Sequence, residues 1–175
     1  MLIMKGLIII YTGNGKGKTT AALGAAMRTL AYEGKVAVIQ FIKERMTGEL
    51  KFLSSVKKAE VLQMGKGFYK SPNDRKDPEV HKRAAQKAWE KAKELISSEE
   101  YNLVILDEIN CAIDSGLIKT EDVVSFLKKR NATNIILTGR GAPKELISIA
   151  DLVTEMREIK HPFKKGVPAR KGIDF

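Results

Sequence analysis

Residues 7–20 read LIIIYTGNGKGKTT, and this stretch carries the strongest signal of fold in the chain. An apolar, isoleucine-rich run predicts a strand at residues 7–11, and a helical pattern begins at Lys18. The glycines between them permit a tight turn that directs backbone N–H groups, and the positive end of the helix, towards one anion. The order of strand, glycine turn and helix therefore predicts a phosphate-binding loop.

The predicted phosphate-binding residues are the whole loop and the start of the helix, namely Gly13, Asn14, Gly15, Lys16, Gly17, Lys18, Thr19 and Thr20. Lys18 is expected to reach the terminal phosphates and is the loop's candidate catalytic residue, and the Thr19 hydroxyl is expected to bind Mg²⁺ or Mn²⁺. The usual pattern has glycine where this chain has Thr12, and the glycine follows one residue later. A glycine-rich turn without a ligand is the alternative.

A second apolar run, residues 103–106, leads into Asp107 and Glu108. An acidic residue at the end of such a strand can hold the water shell of a metal beside the phosphates. The predicted metal-binding residues are therefore Thr19, Asp107 and Glu108. An ordinary acidic turn at the end of a strand is the alternative.

Short runs rich in valine and isoleucine alternate with helical patterns along the chain, which predicts an α/β fold with a mostly parallel sheet. Several runs are apolar at every position, as is typical of strands covered by helices on both faces. The chain has no internal repeat or interdomain linker, so we expect one domain over residues 1–175. The predicted strands are residues 7–11, 36–42, 60–63, 103–107, 135–138 and 152–156.

Three helices are predicted between these strands. The first spans residues 18–33 and is expected to end at a left-handed Gly34, and the third is expected to begin with Thr120 as its N-cap. The second begins near Pro78, and its predicted apolar face consists of Val80, Ala84, Ala88, Ala92, Leu95 and Ile96. The loop at residues 65–77 is long for a compact domain, which makes it a candidate functional segment.

Composition limits the possible functions. The chain has 31 Lys and Arg against 21 Asp and Glu, a net charge of +10, which favours nucleotides, polyphosphates or nucleic acid as partners. The single cysteine excludes a disulfide framework and a zinc site with several cysteines. No apolar run approaches the roughly 20 residues that cross a bilayer, and the opening segment has the pattern of a strand rather than a signal peptide. We therefore expect a soluble, cytoplasmic protein without a membrane partner.

Phosphate binding alone leaves kinase, ATPase and group-transfer activities open. Segments spread over almost the whole chain, however, resemble the P-loop ATP:corrinoid adenosyltransferases. They are TGNGKGKTT at 12–20, VIQFIK at 38–43, Gly67-Phe68, ILDEI at 105–109, LTGRG at 137–141, Lys160-His161 and Gly172-Ile173-Asp174. The resemblance implies a RecA-like P-loop NTPase fold with helices on both faces of the sheet. It also implies transfer of the 5'-deoxyadenosyl group of ATP to the Co(I) centre of a corrinoid, with release of triphosphate, in adenosylcobalamin biosynthesis or salvage.

The resemblance also suggests roles and partners. Arg28 matches a nucleotide contact, although a solvated helix arginine is equally consistent with its position. Phe68 matches an aromatic residue that packs beneath the corrinoid ring and removes the lower axial ligand, so we consider it catalytic; a loop anchor in the core is the alternative. The second family aromatic falls on Lys70, while Tyr69 lies between. The implied partners are ATP, a corrinoid, a flavoprotein reductase and a second copy of the chain.

Four further residues carry weaker signals. His81 falls near the start of a charged helix and His161 falls in the basic tail, so both are expected at the surface, and neither has a second metal ligand nearby in sequence. Cys111 could line the site or serve as a small buried apolar residue. Arg140 could meet phosphate or the carboxamides of a corrinoid, or lie in an ordinary surface loop.

Two other functions share the phosphate loop. A nucleic-acid-dependent P-loop ATPase would use the same loop, acidic strand end and positive charge, but no nucleic-acid-binding module is visible, so nucleic acid is not an expected partner. A nucleoside kinase of the thymidine kinase type usually adds a four-cysteine zinc module, which one cysteine cannot form. The sequence does not predict which corrinoid is preferred, because the substituents at the edge of the ring are recognised by loops whose positions the sequence does not give.

Overall fold

Five-residue runs dominated by isoleucine, valine and leucine form the central sheet, because β-branched side chains pack well on a pleated surface covered from both sides. The computed structural model describes residues 5–72 and 74–174. The six strands are β1 (Ile8–Thr12), β2 (Val36–Gln40), β3 (Ala59–Gln63), β4 (Leu103–Asp107), β5 (Asn134–Thr138) and β6 (Leu152–Glu155). Their order is β3-β2-β4-β5-β1-β6, and each pair of neighbours is parallel. The sheet is thus parallel throughout, where the sequence predicted a mostly parallel one.

Helices cover both faces of the sheet, which confirms the predicted α/β class. They are α1 (Lys18–Ala31), α2 (Gly48–Leu53), α3 (Pro78–Ser97), α4 (Ile109–Asp114), α5 (Thr120–Lys128) and α6 (Lys144–Ile147), followed by a 3-10 turn at Pro162–Lys165. Apolar residues of α1 and α2 pack on one face, and those of α3 to α6 pack on the other. None of the helices within the described part of the chain is long and apolar enough to span a membrane.

Two predicted helix ends are wrong in detail. The left-handed residue after α1 is Glu33, with φ of 63°, and not Gly34. Gly34 is needed for a different reason, because a Cβ there would lie 2.7 Å from Cγ2 of Thr29. Thr120 is the first residue of α5 rather than its N-cap, and the preceding Lys119 makes no capping bond through its side chain.

The buried face of α3 agrees with the prediction at Ala88, Ala92, Leu95 and Ile96 and differs in its first two turns, where His81 and Ala85 are buried in place of Val80 and Ala84. Its buried residues are His81, Ala85, Ala88, Trp89, Ala92, Leu95 and Ile96. Val80 is 41% exposed, so its predicted core position is wrong. His81 is only 3% exposed, so the prediction of a surface histidine is also wrong. The first buried turn was missed because its buried residue is a histidine, and a helical pattern of apolar residues does not include a polar one.

Candidate active site

The carboxyl ends of the parallel strands meet at one edge of the sheet, where ligands bind in open α/β folds. Gln40 ends β2, Asp107 ends β4 and Thr138 ends β5, and each of these polar side chains is fully buried. Gln40 and Asp107 are partners in the register of β2 and β4. Burying polar groups without partners is costly, so this cluster requires internal hydrogen bonds.

The glycine loop leaves the end of β1 and is held against the chain that follows β6. The backbone N–H of Gly15 donates a hydrogen bond of 2.7 Å to the carbonyl of Met156. A Cβ at Gly13, whose φ is 93°, would lie 2.4 Å from the same carbonyl oxygen. Thr12, which replaces the usual glycine, still belongs to β1 and is paired with Glu155. The turn therefore begins one residue later than in the usual pattern, where Gly13 permits it.

Lys18, the first residue of α1, folds back over the loop. Its Nζ donates hydrogen bonds of 2.8 Å to the carbonyl of Gly13 and 2.6 Å to the carbonyl of Gly15. Burial lowers the pKa of Lys18, and the nearby positive charge of Arg140 lowers it further. The ammonium group thus lies across the mouth of the loop, where a phosphate oxygen could replace a carbonyl as its acceptor.

A cavity of ≈ 400 Å³ opens above the loop and brings together most of the predicted site. Residues 14–20 line it from one side. Lys43, Phe68, Glu108, Cys111 and Arg140 line it from other segments. Cys111 is half-buried, burial raises the pKa of its thiol, and its Sγ accepts a hydrogen bond of 3.3 Å from the backbone N–H of Arg140. The Cys111 and Arg140 side chains therefore lie beside the phosphate loop rather than in an unrelated surface region.

Asp107 lies just behind the cavity and is completely satisfied by hydrogen bonds. Its Oδ1 accepts from the hydroxyls of Thr19 and Thr138, each at 2.7 Å. Its Oδ2 accepts from Nε2 of Gln40 at 2.9 Å and from Nζ of Lys43 at 3.3 Å. Because Thr19 uses its proton on Asp107, the hydroxyl oxygen keeps its lone pairs for a cation on the cavity side.

Glu108 is the most strongly perturbed acid of the cavity wall. Burial, with the neighbouring negative charge of Asp107 as the second cause, raises its pKa to about 7. Its Oε2 is buried and has no hydrogen-bond partner among the residues that the structure describes. A hard cation such as Mg²⁺ prefers this kind of oxygen ligand.

The donor set fits a magnesium ion shared with a nucleotide. In residues 5–72 and 74–174, no three His, Cys, Asp or Glu side chains are grouped so that they could hold a metal. Mg²⁺ in phosphate sites is usually bound by one or two protein oxygens together with water and phosphate oxygens. The Thr19 hydroxyl and the unpartnered oxygen of Glu108 are oxygens of this kind on the wall of one cavity, and Asp107 orients Thr19 from behind.

Lys43 is a cavity residue that was not predicted from the sequence. Its side chain is 21% exposed and forms an ion pair with Asp107. Burial by itself lowers the pKa of Lys43, but attraction to Asp107 and Glu108 outweighs it, and the net direction is upward. Lys43 therefore stays charged in the cavity that the phosphate loop lines. The available signal was its position directly after residues 36–42, the segment predicted as the second strand.

The loop between β3 and α3 presents Phe68 to the cavity. Phe68 is 61% exposed and lines the cavity wall, so it is not a core anchor. Tyr69 takes the anchoring role, since its ring lies 5.3 Å from the ring of His81. Lys70 places its Nζ 5.0 Å from the centre of the Tyr69 ring. Of the three consecutive residues, Phe68 alone lines the cavity.

The end of the chain covers the other side of the cavity, which the sequence analysis did not predict. His161, Ile173 and Asp174 contribute to the wall, and the carboxylate of Asp174 forms an ion pair with Lys16. His161 is half-buried and its Nδ1 accepts a hydrogen bond of 3.1 Å from the backbone of Phe163. His161 is thus partly exposed, as expected, but it lies at the wall of the cavity rather than away from the site.

Two predicted phosphate or nucleotide residues do not line the cavity. Gly13 lies outside the cavity wall, at a position where the nearby carbonyl of Met156 leaves no room for a side chain. Arg28 is exposed in the last turn of α1. Its contact with the nucleotide stays a prediction.

A glycine loop between β1 and α1, with a buried aspartate at the end of β4, defines a P-loop nucleotide-binding protein of the α/β class. The model of the family described as ATP:corrinoid adenosyltransferase BtuR/CobO/CobP matches residues 4–175. The corrinoid adenosyltransferase of a Sinorhizobium species is 47% identical over 98% of this chain and 81% of its own length. Those of Pseudomonas aeruginosa and Escherichia coli K12 are 38% and 37% identical over 98% of this chain, with 84% and 86% of their own lengths covered. The chain belongs to the ATP:corrinoid adenosyltransferase family.

Proposed function

We propose that the protein transfers the 5'-deoxyadenosyl group of ATP to the Co(I) centre of a corrinoid and releases triphosphate. The observation that carries this proposal is that the phosphate loop and the exposed ring of Phe68 line the same cavity. A phosphate loop alone would serve any nucleotide enzyme. An exposed aromatic ring opposite it provides a surface for a flat, largely apolar macrocycle.

The transfer is a substitution at carbon. The electron pair of Co(I) forms the new bond to C5', the bond between C5' and its oxygen breaks, and triphosphate leaves with that electron pair. Co(I) is a very strong nucleophile, so the protein supplies no general base. Its tasks are to align the two substrates and to stabilise the negative charge of the leaving triphosphate.

Cations around the cavity perform the second task. Lys16 lies in the loop and Lys18 folds back over it from the start of α1, while Lys43 and Arg140 line the same cavity from the segments that follow β2 and β5. Backbone N–H groups of the loop and the start of α1 add fixed partial positive charges. These groups favour triphosphate most when its bond to carbon has broken, because its negative charge is then largest.

We assign the metal site to Thr19 and Glu108, with Asp107 holding Thr19 in place. When Mg²⁺ or Mn²⁺ is bound there, it neutralises charge on the triphosphate oxygens. The support is the 2.7 Å bond from Thr19 to Asp107 and the unpartnered oxygen of Glu108.

Phe68 is proposed to act before the transfer. Reducing Co(II) to Co(I) is difficult while cobalt keeps a lower axial ligand, and an aromatic side chain beneath the ring displaces that ligand. Lys70 stands where the resemblance places a second aromatic residue, and Tyr69 packs on His81. Phe68 is therefore proposed to displace the ligand without a neighbouring aromatic partner.

The family resemblance supports further proposals about the protein as a whole. We propose a RecA-like P-loop domain over residues 1–175, a homodimer, a cytoplasmic location and a flavoprotein reductase as electron donor. Arg28 is proposed to contact the nucleotide. The strand between β1 and β4 supports the RecA-like assignment, because it separates the glycine-loop strand from the acidic strand.

Anaerobic incubation with MgATP and chemically reduced cobalamin tests the central proposal. We expect the absorption spectrum of a carbon–cobalt product and one triphosphate for each product molecule. Release of ADP would instead indicate a kinase, and release of ADP with free phosphate, increased by DNA or RNA, would indicate a nucleic-acid-dependent ATPase. Family membership does not support either alternative.

A further inference from the structure

His81 is a buried titratable side chain that the proposed chemistry does not use. It lies on the inner face of α3, and its Nε2 is 3.1 Å from Oδ2 and 3.2 Å from Oδ1 of Asp74. The side chain of His81 is 2% exposed and that of Asp74 is 10% exposed. Breaking a buried polar pair leaves one partner without compensation, so this contact constrains the segment that carries Asp74.

Asp74 belongs to the loop between β3 and α3, and its carboxylate organises that loop. Oδ2 accepts a hydrogen bond of 3.1 Å from the backbone N–H of Lys70, and Oδ1 accepts one of 3.2 Å from that of Lys76. The carboxylate of Asp74 thus connects the backbone at Lys70 and at Lys76 to the side chain of His81 in α3. The loop is held by a specific side chain and not by chain connectivity alone.

The same histidine supports the residue next to Phe68. The ring of Tyr69 packs against the imidazole of His81 with 5.3 Å between the ring centres. The loop is also fixed at its start, where the backbone N–H of Gly67 donates a hydrogen bond of 2.8 Å to the carbonyl of Ile42. Phe68 lies between these two fixed points. Tyr69 packs on the buried His81, and the neighbouring Phe68 side chain lines the cavity.

We propose that Asp74 and His81 form a positioning pair that holds Phe68 in the cavity. The inference rests on the proposed function of Phe68 and extends it to two residues that do not line the cavity. Because the phosphate loop and its metal-site residues lie on other elements, the pair acts on the reaction that starts from Co(II). It does not act on transfer from preformed Co(I).

Three variants test the pair. His81→Phe keeps a ring for Tyr69 to pack on but removes the contact with Asp74. Asp74→Asn keeps an oxygen acceptor for the loop backbone but removes the charge. His81→Gln retains a side-chain N–H and is the conservative replacement. Glu90→Gln is the matched control, since Glu90 forms an exposed ion pair with Lys93 on the same helix.

The measurements are the initial rates of adenosylation from cob(II)alamin with an added reductant and from chemically prepared cob(I)alamin, both with MgATP. We expect His81→Phe and Asp74→Asn to lower the rate from Co(II) by about tenfold or more, as misplacing a catalytic group does. The rate from Co(I) and the KM for ATP should stay within about twofold of the wild type, because the positioning of the triphosphate is unchanged. His81→Gln should recover part of the loss, and Glu90→Gln should match the wild type.

Each other outcome contradicts the inference in a distinguishable way. Equal losses from Co(II) and Co(I) would indicate a merely structural role, and no loss from Co(II) would mean that the pair does not position Phe68. A normal rate from Co(II) for Phe68→Ala would overturn the positioning role together with that of Phe68. Failure of the wild type with Co(I) would instead overturn the proposed function. If His81→Phe unfolds, the rates of Asp74→Asn from Co(II) and from Co(I) test the inference instead, because Asp74 lies in the loop outside the apolar core.

Discussion

The hydroxyl of Thr19 donates a hydrogen bond of 2.7 Å to Oδ1 of Asp107, which lies 88 residues further along the chain. This bond joins the first turn of α1 to the end of β4. It provides Asp107 with one of the four donors that its buried carboxylate receives and fixes the direction of the Thr19 lone pairs. The phosphate loop and the acidic strand therefore act as one unit.

Replacing Asp107 by asparagine should weaken this unit without changing its size. In either orientation of the asparagine amide, its nitrogen replaces an oxygen that accepts two hydrogen bonds in the wild type. Either the hydroxyls of Thr19 and Thr138 must rotate, or Gln40 and Lys43 lose their acceptor. We expect the free energy of unfolding to fall by about 3 kcal/mol, the usual scale for removing one partner of a buried charged network. Urea unfolding measures this change, with exposed Asp122→Asn as control. An unchanged urea midpoint would contradict the proposed network.

Lys18→Ala should remove the cation that crosses the mouth of the loop. Loss of a preorganised donor to developing negative charge lowers the turnover rate by about 100-fold or more. The measurement is kcat for transfer to chemically prepared Co(I). Lys58→Ala is a suitable control, because Lys58 pairs with Glu33 at the surface. If Lys18→Ala retains more than half of the wild-type rate, Lys18 does not contact the triphosphate.

Asp174→Asn should strengthen nucleotide binding. Asp174 pairs with Lys16 and lines the cavity, so triphosphate must compete with its carboxylate for the same cation. The Lys16 side chain is 52% exposed, so its ion pair with Asp174 contributes little free energy. We therefore expect the Kd of MgATP to decrease by only about threefold. Calorimetric titration at two salt concentrations tests this, since screening should reduce the difference. Weaker binding by the variant would show that Asp174 supports the nucleotide.

Glu108 should make the metal-free protein less stable as pH rises. Burial and the neighbouring Asp107 raise its pKa to about 7 from an ordinary value of 4.5. A carboxyl group whose pKa is raised by folding contributes stability that is fully present below pH 4.5 and is lost as pH passes through about 7. With magnesium chelated, Glu108→Gln should therefore be more stable than the wild type at pH 8 by at most about 3 kcal/mol.

The difference between the Glu108→Gln variant and the wild type should vanish near pH 4.5, and thermal melts across the range measure it. Exposed Glu121→Gln serves as control. Magnesium together with ATP should stabilise the wild type more than the variant, because Glu108 is a proposed metal ligand. A variant that is less stable than the wild type at pH 8 would mean that Glu108 has a partner that compensates its charge.

Local patterns were sufficient for the phosphate loop, the order of the strands and the three longest helices, whereas the short helices α2, α4 and α6 were not predicted. A glycine turn between an apolar strand and a helix is formed by consecutive residues, so the sequence of residues 12–20 was enough to predict the loop between β1 and α1. The apolar runs ending at Asp107 and Thr138 predicted strands correctly because strand formation depends on side chains that neighbour each other in sequence. The family resemblance rests on the same short segments.

Contacts between distant residues could not be predicted in this way. Lys43 reaches Asp107 across a separation of 64 residues, and the chain end reaches Lys16 from position 174. His81 was expected at the surface because it lies near the start of a charged helix, yet Asp74 provides the partner that makes its burial possible. Sequence periodicity describes one element at a time, whereas the partner that satisfies a buried charge comes from another element. The positions of Lys43, Asp174 and His81 were therefore decided by the tertiary structure, which brings each of them to its partner.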